Sequence, residues 1–374
     1  MSGIVVAGGG VAGATAATLL AQAGREVTLL ERQGEPVHKI CGEFISGEAR
    51  AYLAALGLNL AALGGQPITH VRLVRGNRAI TARLPFEGLS LTRRSLDEAL
   101  LNHAADAGVT VRRGQAIRSI RFAPGIMLEL DRAEPLRPQT LLLATGKHEV
   151  RGVARQAEPG ALVGFKNYFH LAPAQRAALG GHVELVLFPG GYAGLQLVED
   201  GTANCTLLVD QPTLARVGGR WEQLLDYLFA VSPHLAQRLG TARASLEAPL
   251  TIARVPYGFV HKPTRDDPSC MYRLGDQAAV IASFTGDGMA IALHSATLAA
   301  RCVLAGEDAS SYHHRLARGV AWQVRRADIL LRLLSAPGLG VGVVALAGIF
   351  PAVLAVAARL TRVPEPARVL AHPS

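Results

Sequence analysis

The chain is poor in the side chains that usually mark a nucleic-acid surface. Aromatic residues are 5% of its 374 positions, two of them tryptophan, and no Lys/Arg run exceeds two or three residues. Bases are gripped by aromatics set among basic stretches, so nucleic acid is excluded as the expected partner. The formal charge of +9, from 38 basic and 29 acidic side chains, instead fits phosphates or a lipid surface. Cysteine is equally sparse. Cys41, Cys205, Cys270 and Cys302 lie far apart with no C-x-x-C pair, which excludes a zinc site or a disulfide framework and fits a reducing cytoplasm. There is no internal repeat, low-complexity tract or flexible linker. The first strand begins almost at once, leaving no room for a basic leader and apolar signal core, so secretion by that route is not expected.

What the chain does have is a strongly patterned start. Gly3 to Ala7 is an apolar run, Gly8-Gly9-Gly10-Val11-Ala12-Gly13 follows, then an Ala-rich helical segment to Ala23, then Arg25 to Glu31. Strand, glycine turn, helix, strand and acid stand at the spacing that holds a dinucleotide. Gly8 permits the tight turn, Gly10 lets a pyrophosphate approach the backbone, and Gly13 lets helix and strand pack closely. The helix start aims free N–H groups and its positive dipole end at the phosphates. Glu31 ends the second strand, where a carboxylate can accept both hydrogen bonds of a ribose diol. The spacing predicts a dinucleotide with an unphosphorylated adenosine ribose, without separating FAD from NAD.

Further along, residues 48–63 read as a helix, and Ile68–Arg75 with Ala79–Arg83 as a hairpin about Gly76-Asn77. Leu91 to Ala107 reads as a helix, and Leu141-Leu142-Leu143 as a strand buried on both faces. From Leu162 to Val209 strands alternate with Pro-Gly-Gly and Glu-Asp-Gly turns, and Trp221 to Leu239 reads as a helix. The expected fold class is α/β: a Rossmann-like FAD-binding domain with an inserted antiparallel β-sheet substrate domain and a helical C-terminus. The FAD-binding domain is discontinuous, over 1–66, 90–160 and 270–335. The substrate domain covers 67–89 and 161–269, and 336–374 forms the apolar C-terminal segment. Within that segment Gly338 to Ala358 carries no formal charge over twenty-one residues. Three readings stay open for it: a bilayer span, which Pro351 and several glycines oppose, a buried helix pair, or a surface touching membrane or greasy substrate.

A second and third signal favour a flavin. Asp276 follows a short apolar stretch, where a carboxylate can hold a ribityl or ribose hydroxyl. Phe284-Thr285-Gly286-Asp287-Gly288-Met289 then opens a helix whose free amides suit the electron-rich edge of a reduced isoalloxazine.

Gly8 to Glu31, Arg93-Arg94-Ser95-Leu96-Asp97, Gly275-Asp276 and Gly286-Asp287-Gly288-Met289 together resemble the signature stretches of the FAD-dependent superfamily. That superfamily includes aromatic hydroxylases, flavin-dependent halogenases and geranylgeranyl reductases. The fold implied is that of para-hydroxybenzoate hydroxylase, a FAD lobe with a sheet roofing the flavin. Lys39-Ile40-Cys41-Gly42-Glu43 and Gly190-Gly191-Tyr192 are most similar to the geranylgeranyl reductase branch. This resemblance implies Ala12 at the pyrophosphate and Glu31 at the adenosine ribose. It implies Gly42, Glu43 and Ile45 beside the flavin, Arg93 at the phosphates and the Ile117 backbone at the adenine. Asp276, Gly288 and Met289 would then hold the ribityl chain and pyrimidine edge.

Departures from the family patterns shape the expected reaction. Tyr192-Ala193-Gly194-Leu195-Gln196 lacks the Trp and Phe-Pro of the reductases, and neither Trp221 nor Trp322 sits in the Trp-x-Trp-x-Ile-Pro stretch of halogenases. Thr145-Gly146-Lys147 replaces the Asp-Gly pair that serves NADPH in the hydroxylases. NAD(P)H and a separate flavin reductase both stay open as electron source. On this reading the chain is a monooxygenase of secondary metabolism, hydroxylating a lipophilic aromatic or polyketide-like substrate through a flavin C4a-hydroperoxide. The alternative is an ene reductase that saturates isoprenoid double bonds by hydride transfer from flavin N5, with Cys41 as the catalytic proton donor. A flavin-binding sensor without activity is the non-enzyme reading. The expected partner is a small lipophilic substrate. Cys41 also reads as a small residue shaping a turn, and His38 as a cap or ion-pair partner. Lys147 and Arg151 read as loop charges or an anionic entrance, Tyr192 and Gln196 as sheet packing or substrate contacts.

Overall fold

The structure is a computed structural model that describes residues 3–335, 348–350 and 352–364. A five-stranded parallel sheet has the spatial order Met271–Arg273, Thr140–Leu143, Ile4–Ala7, Val27–Glu31, Thr110–Arg113. Its central strands are buried along their whole length, because helices cover one face and the hairpin Ile117–Arg121/Met127–Leu130 with Val150 and Val153 covers the other, leaving no solvent side for polar residues. The helix Val11–Gln22 packs between Arg93–Asp106 and Gly288–Leu304. Its fully buried Ala14, Ala16 and Ala17 keep those axes close.

Above the helices lies a larger sheet whose main strands are Gln66–Arg75, Arg78–Ser90, Gly160–His170, His182–Phe188, Gly191–Leu197 and Ala203–Asp210. It is mixed rather than purely antiparallel, since His182–Phe188 runs parallel to Gln66–Arg75. Hairpin turns force antiparallel neighbours, but these two strands meet after a long excursion through the other lobe. Strand alternation gives the sheet two unlike faces. Val163, Phe165, Phe169, Leu195, Cys205, Leu207 and Val209 form one apolar face with Leu224, Leu228, Leu235 and Leu239 of the helices Trp221–Val231 and Pro233–Leu239. The opposite face carries Lys166, Tyr168, Asn204, Thr206, Tyr192 and Gln196. We propose the two-domain division expected from the sequence along the line between these sheets.

Local chemistry corrects two boundaries. The helix expected over 48–63 is Gly47–Ala55. Gly57 turns left-handed at φ +96° while Leu58 N–H donates to Leu53 O at 3.0 Å, which closes the helix end. The single helix expected from Trp221 to Leu239 breaks at Ser232-Pro233, where the serine hydroxyl caps the second helix by accepting from Leu235 N–H. Much of the apolar stretch 338–358 lies outside the described residues. The parts that are described, residues 348–350 and the helix Ala352–Leu360, are not fully buried: Leu354 and Ala358 pack on Phe44, Ile68 and Leu84, while Ile349, Phe350, Val356 and Leu360 are exposed. Among the described residues no helix is long and apolar enough to cross a membrane.

Candidate active site

The glycine turn behaves as its spacing requires. Gly8 has φ +110°, and a β-carbon there would sit 2.4 Å from Ala144 O. One on Gly13 would sit 1.9 Å from Gly8 O. No side chain fits at either point. Glu31 is buried at its strand end, where Oε2 accepts from Gly9 N–H at 2.7 Å and Oε1 from Gln33 N–H at 3.0 Å. Each oxygen keeps a lone pair for a further donor. The carbonyl of Glu31 accepts from Gln115 N–H at 3.0 Å, which brings Ile117, two residues on, to the same end of the sheet. The Ile117 backbone pairs with Leu130.

Cations gather at the helix start. The position a Gly10 β-carbon would take lies 3.2 Å from Arg93 Nη2 and 3.9 Å from Lys39 Nζ. Both are oriented by Asp97, through Arg93 Nε at 2.7 Å and Lys39 Nζ at 2.7 Å. Burial pushes the Asp97 carboxyl up, but Arg93 and Lys39 outweigh it and hold the group below the usual range. Two positive groups beside an open helix N-terminus suit a pyrophosphate.

The third signature joins this end directly. A β-carbon on Gly275, φ +55°, would touch the β-carbon of Ala12 at 3.3 Å and that of Ala292 at 3.6 Å. Ala292 lies one turn after Gly288, so Ala12, Gly275 and Gly288 are neighbours. Asp276 pairs with Lys147 at 3.2 Å. Lys147 is therefore the partner of the proposed ribityl acid, whereas Arg151 is exposed. Gly288 opens its helix with no atom within 4 Å of a β-carbon position, and the same holds at Gly42. Met289 is buried behind Gly288, and Ile45 is buried in the same core.

Between these points the loop Lys39–Glu43 hangs from the inner face of the sheet. Lys166 Nζ donates to Lys39 O at 3.0 Å, Thr206 Oγ1 to Cys41 O at 3.1 Å and Asn204 Nδ2 to Gly42 O at 2.8 Å. Glu43 adopts φ +60° and is fully buried. Its Oε1 accepts from Lys166 Nζ at 2.6 Å, Tyr168 OH at 2.8 Å and Arg93 N–H at 2.8 Å. Burial pushes the Glu43 carboxyl up and the Lys166 ammonium down. Cys41 is half-buried, and its Sγ accepts from Glu43 N–H at 3.3 Å. His38 packs on the Tyr168 ring with centroids 4.6 Å apart. Tyr192 OH donates to Ser283 Oγ at 3.1 Å, which donates to Tyr257 OH at 3.1 Å. Gln196 donates to Ser90 Oγ at 2.6 Å and serves the sheet.

The sequence reading missed Lys166, Tyr168, Asn204 and Thr206. Their only linear signal is polarity at alternate positions of otherwise apolar strands. The residues present fit FAD: cations at Gly10, two glycines facing open space at Gly42 and Gly288, and free helix amides beside the second of them. Among the described residues no cluster of His, Cys, Asp and Glu could hold a metal ion.

Fold and site define an α/β, Rossmann-like FAD-binding fold, and the class of protein is FAD-dependent oxidoreductase. Residues 6–42 match the family model of an NAD(P)-binding Rossmann-like domain. The chain is 25% identical over 321 residues to the menaquinone reductase of Mycolicibacterium smegmatis, covering 81% of this chain and 76% of that protein. It is 27% identical over 343 residues to the tryptophan 2-halogenase of Chondromyces crocatus, covering 84% of this chain and 65% of the halogenase. The flavin-dependent brominase Bmp2 superposes with a TM-score of 0.79 at 16% identity, over 96% of this chain and 93% of the other. The probable FAD-dependent monooxygenase pqsL from Pseudomonas aeruginosa does so with 0.72 at 17%, over 91% and 98%. At such identities the superpositions show a shared fold. The particular geranylgeranyl reductase-like branch is not among these neighbours.

Proposed function

We propose that the chain is a FAD-dependent ene reductase that saturates a carbon–carbon double bond of a small lipophilic, isoprenoid-type substrate. The observation that carries this reading is the Lys39–Glu43 loop, fixed through three of its carbonyls so that the Cys41 thiol stands at one place beside open Gly42. Bound and reduced FAD supplies the hydride. Glu31, Gly8, Gly10 and Gly13 hold the adenosine and pyrophosphate, with Arg93 and Lys39 beside them. Ala12, Ile117, Asp276, Gly288, Met289 and Ile45 line the remainder. Cys41 gives its Sγ proton to the substrate carbon opposite the one that takes the hydride, and Glu43 holds the loop rather than the flavin. Substrate chemistry of this kind agrees with the menaquinone reductase relative, whose name describes a reduction. Electrons come from NAD(P)H or a separate flavin reductase. The exposed apolar face of Ala352–Leu360 offers a cytoplasmic enzyme a peripheral lipid contact from which a lipophilic substrate could be drawn.

Hydroxylation of a lipophilic aromatic or polyketide-like substrate is the second reading, favoured by the room at Gly194. A β-carbon there would meet only Thr206 O, at 3.7 Å, and in the sheet Gly194 stands between Leu185 and Thr206. The test is product mass after photoreduced holoenzyme meets polyprenyl quinones, isoprenoids and phenolic polyketides, with and without oxygen. A gain of two hydrogens under anaerobic conditions that persists after any quinol has been reoxidised in air supports ene reduction. A gain of one oxygen, seen only in air, replaces it with hydroxylation.

A further inference from the structure

We propose that Arg362, in the C-terminal arm, is a positioning residue for the flavin site, setting the charge and direction of the Gly288 helix start. The proposal rests on the FAD reading and not on which reaction follows. Asp287, the residue before Gly288, is fully buried and collects donors from two remote segments. Arg362 Nη1 reaches its Oδ1 at 3.1 Å, Val363 N–H reaches Oδ2 at 3.0 Å, and Ser46 Oγ reaches Oδ1 at 3.1 Å. The other guanidinium nitrogen, Nη2, donates to Thr285 O at 2.7 Å. Arg362 therefore grips both sides of Gly286, which is itself locked. Gly286 has φ +67°, and a β-carbon on it would lie 2.6 Å from the Phe44 ring. The same guanidinium lies over Phe86 at 4.8 Å and near Phe44 at 5.8 Å from the ring centroids.

Two physical consequences reach the flavin. The first-turn amides after Asp287 have no intrahelical acceptor and would face the pyrimidine edge of bound FAD. Their direction follows the backbone of 285–287, which the arm holds. A bare carboxylate at this helix start would also oppose the negative charge of the reduced flavin. Arg362 cancels it at hydrogen-bond distance, so the dipole and amides act on the flavin without an opposing charge. The arm would thus link the C-terminal segment to the reduction potential of bound FAD through Asp287 and Thr285.

The experiment compares wild type, Arg362→Ala, Arg362→Gln and Arg362→Ala/Asp287→Asn. The readouts are the FAD dissociation constant, from quenching of flavin fluorescence, and the midpoint potential of bound flavin. Arg362→Ala is expected to weaken FAD at least tenfold and to move the potential to more negative values. Adding Asp287→Asn should return the potential toward wild type, a recovery that a purely structural anchor would not produce. Arg362→Gln keeps hydrogen-bond donors without charge and reports the potential if the alanine variant does not fold. Potentials and FAD affinities of Arg362→Ala or Arg362→Gln within twofold and a few millivolts of wild type overturn the proposal alone. A wild-type chain that takes up no FAD overturns the FAD reading with it.

Discussion

Lys166 Nζ and Glu43 Oε1 lie 2.6 Å apart with neither side chain exposed to solvent. The lysine belongs to a roof strand and the glutamate to the loop beneath it. The pair thus fastens the loop to the roof strand, and Tyr168 OH and the Arg93 N–H at the start of the next helix converge on the same oxygen.

Removing one partner should cost far more than removing both. Lys166→Met leaves the Glu43 carboxylate buried without its counter-ion, which typically destabilises by about 3–5 kcal/mol. Adding Glu43→Gln restores neutrality while keeping an acceptor for Tyr168 and Arg93. Urea unfolding should show a large fall in midpoint for Lys166→Met and recovery of most of it in the double variant. Equal losses in the two would mean that the lysine acts by filling space.

At the adenosine end, Glu31→Ala is expected to weaken FAD binding by about 1.5–3 kcal/mol, the range for hydrogen bonds to a charged group. Fluorescence titration of apoprotein with FAD measures it. The structure adds a consequence that the sequence alone does not: Gly9 N–H loses its acceptor at 2.7 Å. The apoprotein itself should then lose thermal stability. Glu31→Gln, which keeps an oxygen for that amide, should recover the stability while still binding FAD weakly.

The parts of the site that were legible in the sequence are those in which a few neighbouring residues carry the whole physical demand. Gly8, Gly13 and Glu31 fall within one strand–helix–strand unit, so the turn, the close packing and the acid can be read from spacing. Lys166, Thr206 and Asn204 act together only because antiparallel register sets Lys166 opposite Thr206 and Tyr168 opposite Asn204. Nothing in the linear order of two strands some forty residues apart fixes that register. Arg362 was hidden for the same reason: its partner Asp287 lies 75 residues earlier. The overextended helices at 48–63 and 221–239 have another origin, since apolar periodicity continued through Gly57 and Pro233 although backbone chemistry ended the helices there.

Acid sensitivity follows from two buried histidines. Burial pushes the His294 imidazole from 6.5 down to about 4 and that of His313 down to about 3. The unfolded chain takes up these protons near pH 6.5, while the folded chain refuses them. Their stabilising contribution is therefore complete above pH 6.5 and is lost as pH falls through the two lowered values. The slope is about 1.4 kcal/mol per pH unit for each proton. Asp287, raised by burial to about 6, titrates with the opposite sign over part of this window. The informative quantity is thus the difference between wild type and His294→Gln. Melting temperatures from pH 7.5 to 5 should fall less steeply in the variant, which can still accept a hydrogen bond from Tyr52 OH, now 2.9 Å from His294 Nδ1. Parallel curves would show that folding leaves the His294 imidazole titrating as it does in the unfolded chain.

Cys41 separates the two reactions, because only one of them needs its proton. In ene reduction the hydride leaves a carbanion-like partner carbon, and a thiol supplies a proton that a serine hydroxyl yields far less readily. Cys41→Ser should lower turnover by about 10²–10⁴-fold, the usual span for a lost general acid. FAD affinity and the rate of flavin photoreduction should stay at wild-type values, since the three roof hydrogen bonds to Lys39 O, Cys41 O and Gly42 O involve no thiol. Anaerobic single-turnover absorbance, following reoxidation of reduced flavin by substrate, makes the measurement. A solvent deuterium isotope effect that appears in wild type and changes in the variant would place the slow step at proton delivery. Reoxidation within about threefold of wild type would return Cys41 to a turn-shaping role and leave oxygen insertion as the reaction that the site performs.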